Sequence, residues 1–260
     1  ESTGLRTGDL LDGPDGLVRM GPLKIISDGS LHTRTAYCCE PYADGASLPH
    51  PRGIQNVVPA ELHDLLDRAR RAGLSVALHA IGDAAVHDAL DAFAATGVTG
   101  SIEHAQLVTD TDLPRLAELG VVASVQPAHL VDDRDVIDQC WPDSGRRCFR
   151  TATMINSGVD VRFGSDAPVS PLDPWLAMAA AVHRGDPADP AWHPQEALSV
   201  RQALACSTDG IAHLAVGGPG DMVLLDDNPL LWQGSSAELA SRLRAVEVAA
   251  TVVAGRPVER

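Results

Sequence analysis

Short apolar runs alternate with amphipathic stretches along most of the chain. The runs have the length of buried strands and lie at residues 22–27, 74–80, 100–105, 121–127 and 159–166. The amphipathic stretches carry apolar residues at intervals of three and four, which predicts helices over 59–72, 83–96, 110–119, 174–182 and 199–208. This alternation is typical of βαβ units and predicts an α/β fold built on a parallel sheet.

Local signals mark the ends of these elements, and the pattern changes near the end of the chain. Gly73 and Gly97 follow predicted helices as stop signals, and Ser199 with Gln202 forms a capping box. From Gly220 onward, β-branched runs at 221–226 and 245–253 flank one short helical pattern at 236–243. We therefore predict two domains, an α/β domain over 1–218 and a small β-rich domain over 219–260.

Composition and charge narrow the class of protein. A chain of 260 residues has the usual length of a complete (β/α)₈ barrel, which makes that fold the first one to test. Its net charge of −15 disfavours nucleic-acid partners, and no apolar run reaches the ~20 residues needed to cross a membrane. Five cysteines without a C-x-x-C pair, and an N-terminus without the features of a signal peptide, predict reduced thiols and a cytoplasmic location.

Residues that can bind metal or move protons lie at or near the ends of the predicted strands. They are Lys24 with Asp28, His79, His104, Gln126 with His129, and Asp166. The carboxyl ends of parallel strands meet at one edge, where α/β barrels place their chemistry. Imidazoles and carboxylates are ligands that Zn²⁺ prefers, whereas a lysine can join them only after its charge is removed. We also expect burial of Lys24 in its apolar strand, which would demand pairing or modification.

Six strings in the chain resemble the amidohydrolase superfamily, in the branch of metal-dependent hydrolases that includes formamide and other N-acyl hydrolases. They are KIISDGSL at 24–31, RTA at 34–36, LHAIGD at 78–83, IEHAQ at 102–106, SVQP at 124–127 and GSDAPV at 164–169. The tail resembles the strands of that family's β-sandwich at 220–224 and 252–256. The resemblance implies hydrolysis of an amide-type small molecule with one or two divalent metal ions, most often zinc.

The resemblance also implies a role for each matching residue. Lys24 matches a carboxylated lysine that bridges two metals, and His79 and His104 match the ligands on the fifth and sixth strands. Asp166 matches the eighth-strand aspartate, which binds metal and shuttles the proton from the attacking water to the leaving amine. Substrate contacts are expected from Asp28, Arg34, Gln126 and His129. Cys38 and Cys39 follow the Lys24 strand and are weaker candidates for soft metal ligands.

One feature of the family is missing from this sequence. The family's first barrel strand ends in a His-x-His pair, and none of the ten histidines here forms one. If Lys24 ends strand four, the chain contains strands four to eight of a (β/α)₈ TIM barrel plus the last strands of a β-sandwich. We then expect two open sheet edges that favour self-association, and a chain that is a poor catalyst by itself.

Two other functions remain open at this point. The chain could be a folded, non-catalytic module that associates through its exposed sheet edges, and its metal content would distinguish that module from a hydrolase. Lys24 could alternatively form a Schiff base with a carbonyl substrate, which borohydride would trap. Neither alternative requires two histidines and an aspartate at strand ends.

Overall fold

A computed structural model of the chain describes residues 4–11, 13, 16–211 and 213–258. These residues form two compact units, which are described separately. The first unit comprises the described part of 1–125 together with 133–161. The second comprises 126–132 together with the described part of 162–260.

A five-stranded parallel sheet confirms the predicted α/β class. Its strands follow the chain in the order β1-β2-β3-β4-β5. They are β1 at Leu23–Ile26, β2 at Val76–Ala80, β3 at Gly100–His104, β4 at Val122–Val125 and β5 at Val161–Phe163. The first four match their predicted positions within two residues at each end, whereas β5 ends three residues before the apolar run that predicts it. Gln126 and Asp166, two of the predicted site residues, therefore lie just beyond β4 and β5.

Some of the helices up to residue 161 have the predicted bounds, and others differ from the prediction. They are α1 at Pro59–Ala72, α2 at Asp83–Thr96, α3 at Leu113–Glu118, α4 at His129–Cys140 and α5 at Thr151–Asn156. The predicted bounds of α1 and α2 are confirmed, and both end at a glycine in the left-handed conformation. The third helix begins three residues later than predicted because Pro114 lacks an amide hydrogen and is tolerated only in a first turn.

Helix α4 lies in a segment for which the sequence pattern predicts no helix. Leu130, Ile137 and Cys140 are buried along it at helical spacing. Asp133 is also buried, although the sequence presents it as part of an acidic run. A charged residue on the buried face interrupts the apolar period, which is why the pattern does not predict this helix.

The core of the first unit forms where α1 and α2 cover one face of the sheet. Leu66, Leu90 and Phe93 project from the helices, and each is almost completely buried. Leu78 and Ile102 are paired neighbours on β2 and β3 and are also fully buried. Residues 77, 79, 101 and 103 alternate with this apolar row, so the polar side chains of β2 and β3 lie on the opposite face.

The described part of residues 162–258 in the second unit forms α-helices and a separate antiparallel sheet. The helices are α6 at Pro174–His183, α7 at Val200–Ser207 and α8 at Ser236–Arg244, and the strands are β6 at Met222–Leu225, β7 at Val248–Val253 and β8 at Arg256–Pro257. The capping box of Ser199 and Gln202 is confirmed at the start of α7. Strands β6 and β7 lie within the two runs predicted for the β-rich tail, and β8 is an additional short strand. The boundary between 218 and 219 stays a prediction. Among the described helices, none combines the length and apolar character of a membrane span.

We expect Leu90→Ala to destabilise the first unit by about 2–5 kcal/mol, because it removes a fully buried side chain between α2 and the sheet. Leu119→Ala is the matched control, since Leu119 is 37 % exposed. The free energy of unfolding in urea would measure both changes. Equal losses for the two variants would contradict the assigned core.

Candidate metal-binding site

His79 lies on the polar face of the sheet, near the carboxyl end of β2. Strand register pairs it with Ile26 on one side and Glu103 on the other. Lys24 is paired with Ala77 and therefore lies on the same face, one pleat before His79. The Lys24 side chain is exposed, so the expectation that burial would force its pairing or modification is not supported. Glu103 is an additional carboxylate beside His79 that strand-end reasoning missed.

A local break in strand geometry brings His104 next to His79. Regular alternation would place His104 with Leu78 and Ile102, on the face covered by helices. Both His104 and Ala105 instead have positive φ angles, 72° and 41°. The two imidazole ring centroids are 4.6 Å apart, with the planes inclined at 73°. Two ligand-type side chains from neighbouring strands are thus directed to one place in the first unit.

The Asp28 carboxylate lies next to the His79 ring and is completely buried. Its Oδ1 is 3.3 Å from His79 Nε2, and the carbonyl oxygen of Gly29 is 3.1 Å from the same nitrogen. Backbone amides of Tyr37 and Gly82 each donate to Asp28 Oδ2 at 2.9 Å. A third amide, that of Ile81, donates to Oδ1 at 3.1 Å. With no exposed surface, Asp28 could meet a substrate only after this network opens, which removes the basis for expecting a substrate contact from it.

Close backbone packing holds the loop after β1 against the start of α2. The amide of Ala85, in the first turn of α2, donates to the carbonyl oxygen of Tyr37 at 3.2 Å. A Cβ atom on Gly82 would lie 2.0 Å from that oxygen. Gly82 therefore allows the loop to supply both a cap for α2 and a donor for Asp28.

Arg34 and His32 lie in the same loop and have partners in the first unit. Arg34 Nε is 3.2 Å from Asp44 Oδ2, so the predicted substrate contact of Arg34 would have to coexist with this ion pair. His32 Nε2 is 2.7 Å from Asp133 Oδ1, and Gln106 donates to the other oxygen of Asp133 at 2.9 Å. Sequence reasoning gave His32 no role, because its partner is distant in the chain.

In the second unit, His129 and Asp166 lie close together. A ring nitrogen of His129 and a carboxylate oxygen of Asp166 are within 4.8 Å of each other. His129 is the first residue of α4, whereas Asp166 is exposed and has a φ of 55°. His129 is therefore also a candidate metal ligand, beyond the substrate contact predicted for it. Gln126, the other predicted contact, is buried in this unit.

The donor chemistry of these residues fits a divalent transition metal. Two imidazoles meet in the first unit, and an imidazole and a carboxylate meet in the second; both donor types bind Zn²⁺ at about 2.0–2.2 Å. The cysteines fit less well. Desolvation and the negative charge of Asp83 raise the pKa of the Cys39 thiol to about 11, and burial raises the pKa of Cys38 further. Because metals bind the thiolate, these shifts disfavour both cysteines as ligands.

Comparison with known proteins finds a matching family model and related sequences. The sequence model described as the amidohydrolase family matches residues 2–259. The chain is 32 % identical to the Bacillus subtilis (strain 168) protein YtcJ, which is named as an amidohydrolase, over 95 % of this chain and 48 % of YtcJ. It is 27 % identical to the N-substituted formamide deformylase of Arthrobacter pascens, over 66 % of this chain and 35 % of that enzyme.

A solved structure shares the fold. A metal-dependent hydrolase of uncharacterised function from Pyrococcus horikoshii OT3 aligns with a TM-score of 0.70 and 34 % identity, over 79 % of this chain and 41 % of that one. The chain thus spans about half the length, or less, of the proteins it matches.

We expect Gly82→Ala to destabilise the first unit by about 1–3 kcal/mol, since the added methyl group would overlap the Tyr37 carbonyl oxygen. Amide hydrogen exchange at Tyr37 should become faster as the loop moves away from Asp28. Gly21→Ala is the control, because a Cβ there meets no atom within 4 Å. An unchanged exchange rate at Tyr37 would argue against a tightly packed loop.

Proposed function

Because the chain belongs to the amidohydrolase family, we propose that it acts as a metal-dependent hydrolase of carbon–nitrogen bonds in amides, including N-acyl and N-formyl compounds. The pair formed by His79 and His104, with ring centroids 4.6 Å apart, is the observation that carries this proposal. The similarity to a formamide deformylase supports the choice of bond. The similarity to a metal-dependent hydrolase supports the requirement for metal.

We assign the metal ligands to Lys24, His79, His104 and Asp166, and we expect zinc as the metal. Lys24 lies within β1, whereas His79, His104 and Asp166 lie at or beyond the carboxyl ends of their strands, where this class of fold places its chemistry. Imidazole nitrogen and carboxylate oxygen favour zinc over magnesium or calcium, which bind mainly oxygen. Lys24 would take part as a carbamate, formed when its neutral amine adds to CO₂ and loses a proton. Its exposed side chain is accessible to CO₂.

Asp166 is the residue to which we assign proton transfer. When bound, a divalent cation lowers the pKa of a water ligand toward 7 and polarises the scissile carbonyl. An Asp166 carboxylate oxygen would accept the proton of the attacking water and later donate it to the leaving nitrogen. The exposure of Asp166 is compatible with access for water and substrate. His129, whose ring nitrogen lies within 4.8 Å of it, can orient this carboxylate.

Substrate contacts are proposed for three of the four predicted residues. Arg34 presents a guanidinium group in the loop after β1, and Gln126 and His129 follow β4. These groups suit the carbonyl and amide atoms of a small polar molecule. Asp28 is left out of this set because its carboxylate is completely buried and is held by three backbone amides.

A non-catalytic module that associates with a second copy is the alternative. It is favoured by β1, an edge strand of the sheet on which Ile26 is 54 % exposed. Such a module would need no metal, whereas the hydrolase would. Metal content therefore decides between the two functions.

We expect the purified chain to bind about one Zn²⁺ per molecule, measured by elemental analysis after dialysis, because Lys24, His79 and His104 would supply three ligands in the first unit. His79→Ala and His104→Ala should each reduce the bound zinc at least about tenfold. His63→Ala is the control, since His63 is exposed on α1. Zinc contents that are equal in all three variants would reject the assigned ligands and favour the module.

We expect Asp166→Asn to lower kcat for release of amine from N-formyl and N-acyl amines by about 10²–10⁴-fold, because the amide cannot accept the proton of water. Asp64→Asn, on the exposed surface of α1, is the matched control. If hydrolysis of these amides is detectable and Asp166→Asn leaves it unchanged, the proton-transfer role of Asp166 is refuted.

A further inference from the structure

The environment of His79 Nε2 determines which ring nitrogen carries the proton. Two oxygens lie close to it, the Gly29 carbonyl oxygen at 3.1 Å and Asp28 Oδ1 at 3.3 Å. A carbonyl and a carboxylate can only accept hydrogen bonds, so Nε2 must donate. In a neutral imidazole the lone pair then resides on Nδ1, which is the nitrogen left to bind a metal.

The carboxylate of Asp28 is held in place by donors other than His79. Three backbone amides, from Tyr37, Ile81 and Gly82, donate to its two oxygens at 2.9–3.3 Å. These N–H groups compensate a charge that has no exposed surface. Asp28 thus has a fixed orientation before any metal binds. Its contact with His79 is added to the hydrogen bonds that the backbone amides already make.

The backbone around this pair is fixed by the same loop. Ser27 donates to the carbonyl oxygen of His79 through both its amide, at 3.1 Å, and its hydroxyl, at 2.6 Å. The side-chain amide of Asn56 donates to the carbonyl oxygen of Asp28 at 2.9 Å. Main chain and side chain of His79 are therefore both constrained by residues that follow β1.

We infer that Asp28 is a positioning residue, which acts through His79 by fixing its Nε2–H tautomer and ring orientation so that Nδ1 is presented to the metal. This inference rests on the proposed metal-dependent function. Carboxylates that hold a ligating histidine in this way are typically worth a factor of about 10–100 in metal affinity. The amide of Tyr37, in the loop after β1, also donates to this carboxylate. Asp28 therefore links that loop to His79, the proposed metal ligand.

The first test uses the unaltered chain without metal. Long-range ¹H–¹⁵N correlation spectra at about pH 8.5, where imidazoles are generally neutral, report the tautomer of each histidine. A spectrum of His79→Gln assigns the His79 signals. We expect the Nε2–H tautomer, and a predominant Nδ1–H tautomer would overturn the inference. This result does not depend on whether the chain binds metal or hydrolyses amides.

The second test replaces the carboxylate by an amide. In Asp28→Asn, the remaining oxygen should stay with the backbone donors, which turns the NH₂ group toward His79 Nε2. We expect the tautomer to shift toward Nδ1–H and the affinity for Zn²⁺, measured by competition with a chromophoric chelator, to fall about 10–100-fold.

Asp83→Asn is the matched control for this substitution. Asp83 is a second buried carboxylate of the same unit; it accepts from the Cys39 amide at 2.8 Å and from Arg147 at 3.2 Å. Its replacement should lower the melting temperature but leave the His79 tautomer and the zinc affinity unchanged. An equal loss of zinc affinity in both variants would mean that Asp28 only stabilises the fold, and it would overturn the inference. Should the chain bind no zinc at all, the proposed function fails, while the tautomer measurement still decides the role of Asp28.

Discussion

The first unit depends on one buried carboxylate at the carboxyl edge of its sheet. Asp28 has no exposed surface, so its charge must be compensated inside the protein. The donors that compensate it come from the loop after β1 and from the turn between β2 and α2. A single side chain thereby determines where the loop lies, how α2 begins and how the His79 ring is oriented. Gly82 makes this arrangement sterically possible.

The same edge shows how the candidate metal-binding site departs from regular secondary structure. A parallel strand places alternate residues on opposite faces, which would separate His79 from His104. The positive φ angles of His104 and Ala105 change the direction of the chain at the point where β3 ends. Backbone conformations of this kind are unfavourable for residues with a side chain, and they concentrate at functional sites. The local strain at His104 is consistent with a role that regular β-structure could not provide.

Much of this fold could be predicted from hydrophobic periodicity. Helices α1 and α2 follow the 3.6-residue pattern and end at glycines, so their bounds agree with the prediction. Helix α4 could not be found in this way, because Asp133 lies on its buried face and binds His32 and Gln106. Strand-end reasoning selects His79 and His104, but it cannot tell that Lys24 is exposed or that Asp28 meets three backbone amides. Those facts depend on contacts between segments that are distant in the sequence.

Buried carboxylates are concentrated at this end of the first unit, and this has an electrostatic consequence. Asp28, Asp83 and Asp133 are all buried, and the chain as a whole carries a net charge of −15. Around Asp28, the compensating groups are backbone N–H dipoles and the His79 ring. Dipoles stabilise a carboxylate without cancelling its field, so a negative potential persists beside the His79 ring. Such a potential favours a cation at that ring, and it favours a divalent ion over a monovalent one. The carboxylate that orients His79 therefore also contributes to the attraction of the metal that His79 is proposed to bind.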